Sequence, residues 1–420
     1  MERFRFLTAG ESHGKGLIAI VEGMVADLRL EEEYINKELK RRQQGYGRGA
    51  RMAIEDDRAE IISGVRYGLT MGSPIAMLVP NKDWQNWQET MNVAPVSKEA
   101  EPVTIPRPAH ADLAGVTKYG LKDIRPIIER ASARETAARV AVGAIAKRFL
   151  EEFGVAIHSH TTAIGQSRCK PLDYSVIANT AEQSKEVQDK PGFIDWQQVE
   201  DSPVRCADSG VEKKMMAAID EAKASGDTMG GVFELIATGV PIGLGSHVQW
   251  DRRLDGRIAQ AIMSINAVKG VEIGLGFALG ELKGSEAHDA IEPHPPVNEK
   301  SSSSLRGAVA RQSLPWRHSS NYTGGIEGGI SNGEPVVVRA AIKPIATLSN
   351  PLPSIDLSNN QPVKARYERS DVCVVPAAGV IGEAMLAIVL ADAFLEKFGG
   401  DNLKETLVNY RNYQLSIVKD

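Results

Sequence analysis

The chain has 420 residues, of which 42% are hydrophobic and 25% charged, the composition of an ordinary globular protein. Its net charge of −5 argues against a general binder of nucleic acid or membrane surfaces, because such proteins need a basic excess. Three cysteines without CxxC spacing predict neither a disulfide framework nor a zinc cluster, and they favour a reducing, cytoplasmic setting.

The first half of the chain predicts short strands, two helices and one long irregular segment. Residues 3–25 alternate apolar and polar side chains around the glycine-flanked loop GESHG, which indicates two strands joined by a loop. A helix is expected over 32–43, where basic residues fill the last turn. The stretch 81–108 is rich in Pro, Trp and Asn and is expected to be a mobile loop. The clearest helix is expected over 132–153, because SARE at its start is a capping box.

The second half mixes further helices and strands with two polar segments. The predictions are a surface excursion over 165–205, helices over 212–225 and 257–268, a strand over 232–240, a mobile Pro- and Ser-rich segment over 292–321, and a helix over 379–398. The apolar run 372–394 is interrupted by Glu383 and Asp392, so it indicates a buried helix rather than a membrane span. The first residues, MERFRFLTAGESHG, lack the apolar core of a signal peptide, so no targeting segment is expected.

Strands and helices alternate too irregularly for a parallel βαβ sheet, which favours an α+β fold. Length alone favours two or three domains. Two strands begin after paired glycines, at 230–231 and at 324–325, which leaves an internal duplication open.

Three partial motifs do not support a phosphate loop, a dinucleotide-binding site or a metal site. GESHGKG resembles a phosphate loop, but its first glycine is one residue too close and no Ser or Thr follows Lys15. The glycines around residues 45–49 and 274–276 do not complete a GxGxxG fingerprint after a strand. His158 and His160 would share one face of a strand, but no third metal ligand is evident, so no metal is expected.

Two clusters combine a histidine or basic residues with glycine or a helix start. His13 in GESHG is suited to donate a proton near neutral pH, and the alternative is an ordinary loop histidine. In ERASARETAARVAVG, Arg130 and Arg134 flank a predicted helix N-terminus, which is an anion site because its backbone N–H groups are free. The alternative there is a solvated helix start with incidental arginines.

Two further clusters carry charge. In ERSDVCVVP, Asp371 beside Arg369 is a held carboxylate, suited to assist a base or to form a simple ion pair. The segment KRRQQGYGRGAR concentrates basic residues in an acidic protein, which indicates a local positive pocket for a small, highly negative ligand. Its arginines are Arg41, Arg42, Arg48 and Arg51.

Taken together, these motifs resemble the chorismate synthase family. Three signatures appear in order: GESHGKGLIAIVEGMV, ERASARETAARVAVGAI and RSDVCVVPAAGVIGEAM. Other family-like stretches lie between them, among them RRQQGYGRGARM, RPAHAD, GDTMGG, RLDGRIAQAIMSINAVKGVEIGLGF and NYTGGIEGGISNGEP. The resemblance covers nearly the whole chain.

The resemblance implies a lyase that converts 5-enolpyruvylshikimate 3-phosphate to chorismate by anti-1,4-elimination of phosphate and a ring proton. That reaction is the last step of the shikimate pathway to the aromatic amino acids, and it requires reduced FMN although no net redox change occurs. The implied catalytic residues are His13 as general acid, His110 near the flavin N1, and Asp371 as a relay for the proton from flavin N5.

The resemblance also implies two sets of binding residues. FMN contacts are expected from Arg130, Ala131, Ser132, Asn266, Ala267, Gly328, Lys343, Pro344, Ile345, Ala346, Thr347 and Arg369. Contacts to the anionic substrate or to NADP are expected from Arg42, Arg48, Arg107 and Arg134.

The chain departs from the family pattern at two positions. Ala109 stands where the family usually has Gly; if that site needs a positive φ, alanine costs on the order of 1 kcal/mol there and could shift His110. Ser370 stands where relatives often have His, so a contribution of that histidine to proton relay is absent here.

At the level of the whole molecule, the resemblance implies one β-α-β sandwich domain over 1–420, with antiparallel sheets between helical layers, and a homotetramer. Without a long insertion, an external flavin reductase is expected, with NADPH acting indirectly. The alternatives are a flavin reductase that only shares the FMN site and a catalytically silent FMN-binding protein.

Overall fold

The computed structural model describes residues 3–49, 56–171, 194–293, 315–368 and 370–417. Its two larger sheets are antiparallel, with strand orders β1-β2-β6-β3 and β10-β15-β9-β7-β8. The strands are β1 Arg5–Ala9, β2 Gly16–Glu22, β3 Glu60–Ser63, β4 Val65–Arg66, β5 Leu69–Thr70, β6 Ile75–Pro80, β7 Ala156–Ile164, β8 Ser167–Arg168, β9 Gly231–Thr238, β10 Val268–Ile273, β11 Ile291–Pro293, β12 Trp316–His318, β13 Ile326–Glu327, β14 Ile330–Ser331, β15 Val336–Ile342, β16 Pro353–Asp356 and β17 Gln361–Lys364.

The α-helices pack around and between these sheets. They are α1 Glu32–Gln43, α2 Asp112–Tyr119, α3 Arg125–Ala131, α4 Thr136–Glu151, α5 Trp196–Asp201, α6 Ser209–Ala224, α7 Leu254–Met263, α8 Gly284–Ala287, α9 Val375–Phe398 and α10 Leu403–Ser416. Within the described residues, 3₁₀ turns lie at Lys82–Asn86, Ala133–Glu135, Trp250–Arg252 and Gly276–Glu281.

Helices α4 and α9 form the central layer of a β-α-β sandwich. Helix α4 packs on β2 of the first sheet, α9 packs on β7 and β9 of the second, and the two helices pack on each other. The prediction of an α+β fold built as a β-α-β sandwich is therefore confirmed. Helix α9 is apolar all round, so it must be covered on every side, and it lies between α4 and the second sheet.

A glycine permits the close contact between the two central helices. A Cβ atom added at Gly143 of α4 would lie only 2.3 Å from Cβ of Ala384 on α9. One hydrophobic cluster then joins this contact to both sheets and to α1 and α7, which supports the proposal of a single domain.

Helix α9 is long and apolar enough to cross a membrane by length and composition, but its apolar window is entirely buried inside the protein. Its buried Glu383 is compensated by three cations. The carboxylate accepts hydrogen bonds from Arg41 at 2.7 Å, Lys147 at 2.8 Å and Arg205 at 3.3 Å. The prediction of a buried helix rather than a span is thus confirmed.

Several predicted boundaries needed correction. The helix expected from Ser132 is in fact a 3₁₀ turn over Ala133–Glu135 followed by α4 from Thr136, and the separate helix α3 ends just before it. Ser132 caps that turn by accepting from the backbone N–H of Arg134, whereas Glu135 pairs with Arg139 instead of closing a capping box.

Other elements differ mainly at their ends. Helix α1 has the predicted bounds, whereas α6 begins at Ser209 because Asp208 caps it. Helix α7 stops at Met263 because Val268 already starts β10, and α10 was not predicted. Of the expected mobile segments, 294–314 lies outside the described residues, as does 172–193 of the surface excursion.

Candidate active site

His13 lies in the loop between β1 and β2 and is held by a buried carboxylate from α3. Its Nδ1 is 3.0 Å from both carboxylate oxygens of Glu129, and its backbone N–H donates to the same group at 2.8 Å. The ring stacks on Trp87 at 3.8 Å between centroids. Burial is the largest single influence and opposes ionisation of Glu129, but the hydrogen bonds and charges of His13 and Arg125 together outweigh it and lower the pKa of this carboxyl. The histidine is therefore fixed in position, which an ordinary loop histidine would not be.

Two arginines lie beside the break between α3 and α4. Arg42 donates to Oγ1 of Thr136 at 2.9 Å and to Asp57 at 3.3 Å. Arg134 makes a short ion pair with the other oxygen of Asp57. All three charged groups are buried, and two guanidinium groups share one carboxylate. Two oriented guanidinium forks therefore lie together here, and they suit a phosphate or carboxylate ligand.

This cluster is connected to His13 through serines. The hydroxyl of Ser132 donates to Oγ of Ser12 at 3.1 Å, and the backbone N–H of Ser12 donates to the carbonyl of Glu129 at 3.1 Å. Arg130 donates to the carbonyl of Gly10 at 3.1 Å. It thereby holds the GESHG loop against α3.

Asp371 is a held carboxylate, as predicted, but its described cation is Arg48 rather than Arg369. The ion pair with Arg48 measures 2.8 Å, and the backbone N–H of Gly49 donates to Asp371 at 2.6 Å. A Cβ at Gly49 would lie 2.8 Å from the carbonyl oxygen of Ser370, so only glycine allows this approach. Arg369 itself lies outside the described residues.

His110 belongs to a second carboxylate-centred group. Its Nδ1 is 2.5 Å from Asp112, and Arg107 donates to the same carboxylate at 2.8 Å. Burial raises the pKa of Asp112, but hydrogen bonds from His110 and Arg107 bring it well below its usual range. Ala109 has φ +60°, so the position does require the left-handed conformation that glycine adopts freely. A cavity of about 730 Å³ lies against this group, lined also by Leu113.

The predicted FMN residues connect these two histidine groups. Asn266 donates to the carbonyl of Ala131 at 3.1 Å, and the backbone N–H of Lys343 donates to the carbonyl of Ala267 at 2.9 Å. At the other end of the run 343–347, the carbonyl of Thr347 accepts from Ser370 at 3.2 Å and its hydroxyl accepts from Arg107 at 3.4 Å. A continuous path therefore leads from the His13 side to His110.

Gly328, another predicted FMN residue, is not part of this path. Gly328 lies in the turn between β13 and β14, with φ +58° and open space where a Cβ would stand. Its contact with a cofactor stays a prediction.

The two histidines of β7 have separate partners. His158 stacks on Trp196 at 4.6 Å, and Nε2 of His160 lies 3.0 Å from Glu234. In the part of the chain that the structure describes, no group of three His, Cys, Asp or Glu side chains is arranged to hold a metal.

Sequence reasoning missed the residues that orient the site. Glu129, Asp112, Asp57 and Trp87 were given no role, although the first two stand inside the quoted motifs ERASARET and RPAHAD. The available signal for Asp112 was an acidic residue in the same short motif as Arg107 and His110. Glu129 lies 116 positions from His13, so no local pattern could pair them.

This α+β fold therefore presents two histidines, each hydrogen-bonded to a carboxylate, beside arginines whose arrangement suits a small polyanion. The arrangement is of the kind found in enzymes that transfer protons. Comparison with known proteins identifies the family. The family model described as chorismate synthase matches residues 4–395, and the chain belongs to the chorismate synthase family. Members of that family are lyases.

Curated relatives agree over nearly the full length. The chain is 54% identical over 411 residues to the chorismate synthase of Aquifex aeolicus (strain VF5), and this match covers 97% of each chain. It is 52% identical over 415 residues to that of Moorella thermoacetica (strain ATCC 39073 / JCM 9320), covering 97% of this chain and 98% of the relative. A crystal structure of chorismate synthase is 44% identical, covers 100% of both chains and superposes with a TM-score of 0.76.

Proposed function

We propose that this chain eliminates phosphate and a ring proton from 5-enolpyruvylshikimate 3-phosphate to form chorismate, with reduced FMN as cofactor. Membership of the chorismate synthase family supports the reaction. The observation that carries the proposal is the series of hydrogen bonds and adjoining chain segments that links His13 and the arginine pair on Asp57 to His110. A substrate with a phosphate and two carboxylates needs such a basic, enclosed site.

The residues along this path fit a flavin. Oδ1 of Asn266 is buried and has no hydrogen-bond partner among the described residues, so it is an acceptor available to a ligand N–H group. Arg130, Ala131, Ser132, Asn266, Ala267, Gly328, Arg369 and the run Lys343, Pro344, Ile345, Ala346 and Thr347 would hold FMN. When bound, the reduced cofactor supplies transient electron density for phosphate departure and accepts the ring proton.

His13 is the proposed general acid for the leaving phosphate. Because Nδ1 is bonded to Glu129, Nε2 is the nitrogen that would donate to the substrate. The stack on Trp87 fixes the ring plane and excludes water from one face. The histidine therefore needs no reorientation when the substrate binds.

The arginines are the proposed anion binders. Arg42 and Arg134 would bind an acidic group of the substrate while Asp57 keeps their forks oriented. Arg48 would bind a second anionic group and hold Asp371 in place to relay a proton.

His110 would stabilise the anionic form of the reduced cofactor. Asp112 stays ionised there, because its pKa lies well below the usual range. The carboxylate fixes the orientation of the His110 ring through Nδ1. Arg107 lies on the same carboxylate and brings a permanent positive charge, which suits an anionic neighbour.

An anaerobic assay tests the proposal. Purified chain, chemically reduced FMN and 5-enolpyruvylshikimate 3-phosphate should release chorismate and phosphate in equal amounts, and oxidised FMN should abolish both. His13→Ala should lower kcat by about 10²–10⁴-fold, the usual worth of a positioned general acid. His247→Ala, an exposed histidine elsewhere, should leave kcat unchanged. A folded, FMN-binding protein that forms no chorismate would overturn the proposal.

We expect a cytoplasmic homotetramer that receives reduced flavin from an external reductase, with NADPH as the indirect donor. Oxidation of NADPH by the purified chain and FMN alone would contradict an external reductase.

A further inference from the structure

Two of the three cysteines lie face to face, far from each other in sequence. Sγ of Cys169 is 3.5 Å from Sγ of Cys206, across a separation of 37 residues. Nothing in the spacing of the cysteines indicates this pairing. We propose that Cys169 and Cys206 are an oxidisable dithiol, which forms an intramolecular disulfide when the protein meets a peroxide.

Backbone hydrogen bonds to one strand hold both cysteines in place. The N–H of Cys169 donates to the carbonyl of Thr162 at 2.9 Å. The neighbouring residue of β7, Thr161, donates its N–H to the carbonyl of Arg205 at 2.8 Å, next to Cys206. The two thiols are therefore docked on adjacent residues of the same strand, and their contact does not depend on flexible side chains alone.

The segment that carries Cys206 is fixed a second time. Arg205 has φ +55°, and its guanidinium donates to Glu200 at 2.9 Å and to the carbonyl of Ser159 at 3.0 Å. The N–H of Cys206 donates to Oγ of Ser202 at 3.0 Å. A disulfide needs an S–S distance of about 2.05 Å, so the two sulfurs, now 3.5 Å apart, must close by roughly 1.5 Å.

The two thiols differ in a way that suits stepwise oxidation. Cys169 is partly exposed, whereas Cys206 is fully buried. The hydrogen bond between the thiols raises the pKa of Cys169 and lowers the pKa of Cys206. Cys169 is thus the sulfur that a small oxidant reaches, and Cys206 is the better thiolate to attack it.

The reaction balances with hydrogen peroxide as oxidant. The sulfur of Cys169 attacks one peroxide oxygen, the O–O bond breaks, and a sulfenic acid and one water result. The thiolate of Cys206 then attacks the Cys169 sulfur, which forms the S–S bond and expels hydroxide. The proton from Cys206 converts that hydroxide to a second water. Two thiols are oxidised by two electrons, and one peroxide is reduced to two waters.

The third cysteine is a matched control. Cys373 is fully buried, so a small oxidant does not reach its sulfur as it reaches that of Cys169. The proposed disulfide would close a loop from 169 to 206 and restrict the unfolded chain, which raises Tm.

The test uses the full chain, treated with equimolar hydrogen peroxide and analysed by intact mass after denaturation without reductant. Wild type and Cys373→Ser should each lose the mass of two hydrogen atoms, and peptide mapping should find Cys169 joined to Cys206. Cys169→Ser and Cys206→Ser should not form this bond. Oxidised wild type should melt at a higher temperature than the reduced protein, whereas Cys206→Ser should show no such rise.

Three results would overturn the proposal. They are gain of oxygen mass without loss of hydrogen, a disulfide that includes Cys373, and unchanged thiols after treatment that oxidises a free dithiol control. Folding of the variants is checked independently by their melting curves in reductant, which should match wild type to within a few degrees.

Discussion

At the scale of single residues, the site depends on one alanine held in an unfavourable backbone conformation. Ala109 has φ +60° and an exposed side chain, so glycine should relieve the strain without removing a packed methyl group. We expect Ala109→Gly to raise the free energy of unfolding by up to about 1 kcal/mol.

The same helix start supplies a control for that prediction. Ala111 is also exposed but has φ −70°, so Ala111→Gly should lower the free energy of unfolding by a few tenths of a kcal/mol to about 1 kcal/mol. Urea unfolding of both variants measures the difference. Equal destabilisation by both substitutions would show that the left-handed conformation at Ala109 carries no strain.

At the scale of elements, the ion cluster around Glu383 joins α1, α4 and the Arg205 segment to the central helix α9. Glu383→Gln should lower the free energy of unfolding by about 3–5 kcal/mol, because Arg41 and Lys147 would lose a buried counter-charge. Glu396→Gln on the same helix removes an exposed partner of Arg257 and should cost less than about 1 kcal/mol. Equal effects in chemical unfolding would show that the buried cluster contributes no more than a surface pair.

The same cluster predicts how stability depends on pH. Burial disfavours the charged form of Glu200, but hydrogen bonds from Arg41 and Arg205 lower its pKa from 4.5 to about 2. A pKa that is lower in the folded state adds stability above the unfolded value and loses it as pH falls toward the folded value. The free energy of unfolding should therefore fall between about pH 5 and about pH 2.

Glu200→Gln should flatten that acid dependence, since the amide does not titrate. Urea unfolding of wild type and variant across this pH range is the measurement. A slope that the substitution leaves unchanged would assign the acid sensitivity to other carboxyl groups.

At the scale of the whole molecule, the outer face of the first sheet is apolar and uncovered in the single chain. Leu7 on β1 pairs in register with Ile20 on β2, and the two side chains are 70% and 42% exposed. Such a face suits association between subunits. If the proposed homotetramer uses it, the double substitution Leu7→Glu and Ile20→Glu should shift the sedimenting mass to smaller species.

Leu415→Glu on α10 is the control, because this exposed leucine lies on a different surface. It should leave the sedimenting mass unchanged. A double variant that keeps the wild-type mass would remove this face from the proposed interface.

The amino-acid sequence alone is enough to name the candidate site residues and the family that their motifs resemble. It also determined α1, whose bounds follow from local signals: acidic residues in the first turn and basic residues in the last. Motifs such as GESHG and RPAHAD are short, so His13, His110 and Arg107 could be named without a structure. These features depend on neighbours within a few positions.

Only the tertiary structure decided which groups orient those residues. Glu129 reaches His13, Asp57 is shared by two arginines, and Cys206 meets Cys169, in each case by packing of segments distant in sequence. The break at Ser132 and the central place of α9 were decided in the same way, because burial between two sheets outweighs local capping and propensity. Local sequence patterns encode conformational preference, whereas the partner of a buried charge is fixed by the packing of the whole fold.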